Sequence, residues 1–117
     1  MRIASIEKTL REIDQLQHVS LHIYGKYDLQ KSLIWMTEEM GEVISAIRKS
    51  HSKEDISGEL GDLMAWIFCL GNILEIPLSE SIHGTFRKEI NRQLNTYGKL
   101  KYDHSEGRLF TGESSDV

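Results

Sequence analysis

The chain has 117 residues, enough for one core and too few for two, and 39% of them are apolar, as in an ordinary globular protein. The 14 basic residues against 18 acidic ones leave a formal charge of −4, which excludes a broad cationic surface for nucleic acid or anionic membrane. A single proline and few alternating apolar stretches point to helices joined by short loops.

The first expected helix runs from about Ser5 to Ile23, with Ile6, Leu10, Ile13, either Leu16 or Gln17, and Leu21 on its inner stripe. Tyr24-Gly25-Lys26-Tyr27-Asp28 ends it. A second helix is expected from about Asp28 to Arg48-Lys49-Ser50-His51, its stripe being Leu29, Leu33, Met36, Met40, Val43 and Ile47. Basic residues suit that terminus, so Arg48 and Lys49 read first as helix-end charges. Ser52-Lys53-Glu54-Asp55 resembles a capping box and opens the third helix, with Ile56, Leu60, Leu63, Ile67, Leu70 and Leu74 inward. Pro77 closes the next connection. The fourth helix is expected over about Leu78 to Tyr97, placing Ile82, Phe86, Ile90 and Leu94 inside. Residues 1–102 therefore form the expected domain, and 103–117 a polar tail with little to bury.

Chemistry is concentrated in a repeat. Glu39-Met40-Gly41-Glu42-Val43-Ile44 and Glu59-Leu60-Gly61-Asp62-Leu63-Met64 share one pattern of carboxylate, apolar, Gly, carboxylate and two apolar residues. Positions i and i+3 share a helix face, so each stretch aims two carboxylates the same way, and four converge if the helices pack. Like charges at that spacing and glycines inside helices both oppose the fold, so a compensating cation is expected; hard divalent ions are held by several carboxylate oxygens. At about 100° per residue both acid pairs fall on one margin of the apolar stripe. Glu39 and Glu42 share theirs with Trp35 and Ala46, and Glu59 and Asp62 share theirs with Trp66 and Ile73. Glu38 points nearly opposite the stripe, and Gly41 and Gly61 project away from it, which suggests close approach by another helix.

Glu38-Glu39-x-x-Glu42 followed by Glu59-x-x-Asp62 resembles the signature of the MazG-like all-α nucleoside triphosphate pyrophosphohydrolases, a superfamily that includes deoxycytidine triphosphate pyrophosphatase, dimeric dUTPase and phosphoribosyl-ATP pyrophosphohydrolase. The resemblance covers about Leu29 to Tyr97. It implies a four-helix MazG-like bundle assembling as a homodimer or homotetramer, with Mg²⁺ (Mn²⁺ as substitute) held by Glu39, Glu42, Glu59 and Asp62. The implied reaction cleaves a nucleoside triphosphate to monophosphate and pyrophosphate in nucleotide-pool control or housecleaning. Glu38 and Glu39 are its implied catalytic acids, Glu38 as a residue orienting water. Lys88-x-x-Asn91-Arg92 looks like the family's phosphate- and nucleotide-contacting stretch.

The residues read by themselves agree with that chemistry, since phosphoryl hydrolysis needs charge and positioning rather than a protein nucleophile. Lys88 and Arg92 suit a departing pyrophosphate, although a polar helix face explains them equally well. Trp35, Trp66, Tyr24 and Tyr27 are candidates to stack on a base, with a core or subunit-interface role for the tryptophans as the alternative. The single cysteine, Cys69, excludes an intrachain disulfide and is expected to pack as a small hydrophobe. His18, His22, His51, His83 and His104 form no metal-binding pattern and are expected on surfaces or loops. The charged start of the chain does not read as a secretory leader, and no uncharged run reaches membrane-spanning length. The expectation is a cytoplasmic protein with a nucleotide substrate and neither nucleic-acid nor membrane partners. Two alternatives stay open: a phosphoribosyl-ATP pyrophosphohydrolase, and a non-catalytic helical module that binds metal or nucleotide. A di-iron carboxylate site is disfavoured because neither acid pair carries a Glu-x-x-His.

Overall fold

The computed structural model describes residues 3–104, 106, 107 and 109, with side chains from Ile6 onward. The tail expected over 103–117 lies mostly outside the described residues. Four helices appear in the expected order: α1 (Ile3–Tyr24), α2 (Leu29–Arg48), α3 (Lys53–Leu74) and α4 (Leu78–Tyr97). There is no strand among the described residues, so the protein is all-α.

The boundaries follow from local chemistry. Gly25 takes a φ of 69°, in the region favourable to glycine, and its N–H closes α1 onto the Leu21 carbonyl at 2.8 Å. The Asp28 carboxylate accepts from the Lys31 N–H at 2.9 Å and caps α2. Ser52 does the same for α3, accepting from the Asp55 N–H at 3.1 Å. Glu75 ends α3 at φ 56°, the Ile76 N–H returns to the Gly71 carbonyl at 2.8 Å, and Pro77 comes next.

One compact unit spans Leu16–Pro77. Within it α2 and α3 pack antiparallel across the connection 49–52. The end of α1 is tied in by Gln17, whose side-chain amide donates to the Ile76 carbonyl at 2.9 Å while its backbone carbonyl accepts from the Asn72 side-chain amide at 3.2 Å. Gln17 is buried and Leu16 is exposed, which resolves the choice the periodicity left open. The buried line of α2 runs through Ser32, Val43 and Ala46, with Met36 and Glu39 half-buried between them. That line is turned one residue away from the expected stripe. Small side chains at Ser32 and Ala46 let the backbones approach, and the bulkier Leu33, Met40 and Ile47 are left outside at 42%, 48% and 54% exposure. Leu60 and Leu74 of α3, also expected inside, are exposed as well, whereas Phe68 and Cys69 are buried.

The second unit comprises the start of α1, together with α4 and the residues C-terminal to it. Leu94 is buried there against Ile6, Ile90 and Leu100, and the Ser79 hydroxyl donates to the Asp14 carboxylate. Phe86, expected inward, is 63% exposed and borders an apolar groove of about 310 Å³ with Ile6, Leu10, Ile13, Ile82 and Ile90. No single described helix is long and apolar enough to cross a membrane.

Candidate functional site

The antiparallel hairpin turns a sequence repeat into a spatial one. On α2 the order is Trp35, Glu39, Glu42; on α3, running the other way, it is Glu59, Asp62, Trp66. Acids therefore meet acids and tryptophan meets tryptophan. Carboxylate oxygens of Glu39, Glu42 and Glu59 all lie within 4.8 Å of one another. Asp62 stands beside them, lining the adjoining cavity with Glu39. Three of the five expected acids thus meet, and Asp62 adjoins them. Glu38 is exposed and stands outside the three carboxylates that meet.

Glu39 and Glu59 are half-buried, and each holds one carboxylate oxygen, Oε1 of Glu39 and Oε2 of Glu59, that is shut from solvent without a hydrogen-bond donor. Buried acceptors are rarely left so, because desolvation goes uncompensated. The Glu39 carboxyl is pushed up to about 7, first by burial, then by the hydrogen bond its protonated form makes to Glu59, then by the charges of Glu42, Glu59 and Asp62. Two oxygens bound to one ion at 2.0–2.6 Å lie at most about 5 Å apart, so the spacing, the all-oxygen donor set and the two orphaned atoms fit a hard divalent cation.

Next to the acids, three aromatic rings pack on one another. Trp35 and Trp66 have centroids 5.7 Å apart, Tyr27 and Trp66 6.0 Å, and Tyr27 and Trp35 6.2 Å. They border a cavity of about 480 Å³ completed by Tyr24, Glu39, Asp62, Ala65 and Cys69. Trp35 remains 41% exposed, high for its type and consistent with an open aromatic wall. Cys69 is buried as expected, yet it also lines this cavity. Ala65 and Cys69 went unread as site residues because small side chains carry no chemical signature; their only signal was the spacing from Asp62 on α3.

Lys88, Asn91 and Arg92 belong to the other compact unit. Arg92 is engaged locally, its guanidinium donating from Nε and Nη2 to the Glu89 carboxylate, which that bond holds down at about 2. Lys88 is exposed and Asn91 half-buried. Arg48 and Lys49 lie on the outer side of α2 with Gly41, Ile44 and Ser45. Beyond the backbone of their own helices, nothing comes within 4 Å of where a Cβ would project from Gly41 or Gly61, so both glycines face open space in this chain. Of the five histidines, His83 alone is half-buried and the others are exposed.

A family model described as MazG nucleotide pyrophosphohydrolase domain matches residues 28–96, more than half of the chain. The match takes in both acid helices and the Lys88–Arg92 stretch. No curated protein and no solved structure matches.

Proposed function

We propose, given that this chain belongs to the MazG nucleotide pyrophosphohydrolase family, that it hydrolyses nucleoside or deoxynucleoside triphosphates to the monophosphate and pyrophosphate with Mg²⁺, for which Mn²⁺ substitutes. One observation carries the reading: two carboxylate oxygens shut from solvent without donors belong to an acid cluster that adjoins, through Glu39 and Asp62, a cavity walled by aromatic rings.

Glu39, Glu42, Glu59 and Asp62 would hold the metal, with the half-buried pair as the fixed ligands and the two exposed acids able to swing. When bound, the cation neutralises phosphate charge and acidifies a coordinated water. The chain itself orients the nucleotide: the carboxylates mark the phosphate end, and Tyr24, Tyr27, Trp35 and Trp66 provide apolar surface for the base. Lys88, Asn91 and Arg92 take the phosphate and sugar, as the family resemblance implies and as the charge of Lys88 and Arg92 suits.

The reading includes assembly with further copies of this chain. Leu33, Met40, Ile44 and Ile47 recur along one side of α2, exposed at 42–54%, and Leu60 and Met64 are exposed at 46% and 49% on α3. Only Val43, Ala46, Phe68, Cys69 and Leu94 form the buried apolar core of the described residues. A patch of that kind is characteristic of an interface. The expected setting is the cytoplasmic nucleotide pool.

The test is to incubate the purified protein with a panel of ribo- and deoxynucleoside triphosphates, with Mg²⁺ and with chelator, and resolve the products. Metal-dependent monophosphate and pyrophosphate are expected. Diphosphate with inorganic phosphate, or no turnover of any nucleotide, would sink the proposal.

A further inference from the structure

The aromatic trio has no room for a base within it. A flat ring sandwiched between two others needs them parallel and about 7 Å apart, two contacts of roughly 3.5 Å each. Trp35 and Trp66 are 5.7 Å apart and tilted by 50°, and Tyr27 closes on both at 6.0 and 6.2 Å. What the cavity offers beyond the trio is Tyr24 and a step of small side chains, Ala65 and Cys69. Asp62, Ala65, Trp66 and Cys69 stand at i, i+3, i+4 and i+7 on α3, which is one helix face. At 1.5 Å per residue Cys69 lies roughly 10 Å along the axis from Asp62, and Ala65 about halfway. Asp62 and Cys69 therefore stand at opposite ends of one wall, with Ala65 between them. Cys69 is 3% exposed and lines the floor of the cavity, while Ala65 is half-buried and lines its side.

Building on the pyrophosphohydrolase reading, we infer that Ala65 and Cys69 determine base specificity: the nucleobase lies with one face on this small-residue step and the other toward the aromatic rings, not between Trp35 and Trp66. Bulk at either position then sets which bases are admitted. A larger side chain at 65 fills the seat. A smaller one at 69 deepens it.

The experiment uses the full chain with Ala65→Leu and Cys69→Ala, measuring KM and kcat over a panel of deoxynucleoside triphosphates. It also measures calorimetric affinity for the four deoxynucleoside monophosphates, Mn²⁺ affinity, and the thermal melt. Ala65→Leu is expected to raise KM by about 10-fold or more and weaken monophosphate binding equally. Its kcat should stay within about threefold of the parent, and its Mn²⁺ affinity unchanged, because no carboxylate is altered. Cys69→Ala is expected to shift the kcat/KM ratio several-fold toward purines. If the Cys69 variant does not fold, Ala65→Leu decides alone, since its position is not part of the buried core. A folded Ala65→Leu protein with parental KM and parental monophosphate affinity overturns the inference and leaves the pyrophosphohydrolase reading intact. Parental protein that binds monophosphate, loses that binding in Ala65→Leu, and yet yields no pyrophosphate overturns the activity and leaves the base seat standing. Parental protein that neither binds nor turns over any nucleotide overturns both.

Discussion

Glu39 and Glu59 approach one another from α2 and α3, both half-buried and each with one buried, donorless carboxylate oxygen. Burial of like charges costs stability unless a cation or a proton is supplied. The protein accepts that cost where the proposed chemistry occurs.

Replacing Glu39 by Gln removes a ligand while supplying an amide donor to Glu59. Turnover, measured as pyrophosphate release, should fall by at least about 100-fold, with Mn²⁺ affinity falling in parallel. The melting temperature of the metal-free protein at pH 8 should rise. Glu38→Gln, at a position outside the cluster, should keep activity within about threefold; an equal loss from both substitutions would refute the ligand assignment.

The raised carboxyl of Glu39 sets the sign of two pH effects. Between its ordinary value of 4.5 and about 7 this carboxyl binds more protons in the folded chain than in the unfolded one, so its contribution to metal-free stability is full below about 4.5 and is lost as pH rises through that window. A cation must displace the same proton, so metal affinity weakens as pH falls below about 7. Differential scanning calorimetry should show a larger Mg²⁺-induced rise in Tm at pH 8 than at pH 5.5, and the reverse order would contradict the shift.

Ile44→Asp places a charge in the middle of the exposed apolar side of α2. Sedimentation should show the parent as an oligomer and the variant as a smaller species with a lower melting temperature. A parent that is monomeric at all concentrations would remove the assembly proposal.

The connection between the acid helices offers a test of local energetics. Ser52→Ala removes the hydroxyl that caps α3 and should cost about 1 kcal/mol. Ser50 has φ 55°, a region disfavoured for side chains with a Cβ. Ser50→Gly should therefore be neutral or stabilising, by up to about 1 kcal/mol. Urea unfolding of both variants measures these changes.

Helix positions were legible because each boundary carries its own chemistry: Asp28 and Ser52 as caps, Gly25 and Pro77 as stops. The meeting of Glu39, Glu42 and Glu59, with Asp62 beside them, was legible because i, i+3 spacing on two helices leaves few arrangements once they pair. The facing direction of α2 was not. Leu33, Met40 and Ile47 satisfy helical periodicity, but hydropathy does not distinguish a residue covered by its own chain from one left for another surface. Nor did pattern reveal that Arg92 is already held by Glu89, since that pair is an ordinary i, i+3 contact.

The four residues 49–52 joining α2 to α3 touch none of the aromatic-walled cavity, and their length is nevertheless part of the site. They act as a gauge block between two rods. Slide one rod by a single turn, about 5.4 Å, and Glu39 would stand opposite the level of Trp66 or beyond Glu59, with apolar packing little altered but the charges dispersed. Insertions or deletions here would thus silence the protein while leaving it folded and helical, a defect that no survey of substrate-contacting side chains would reveal.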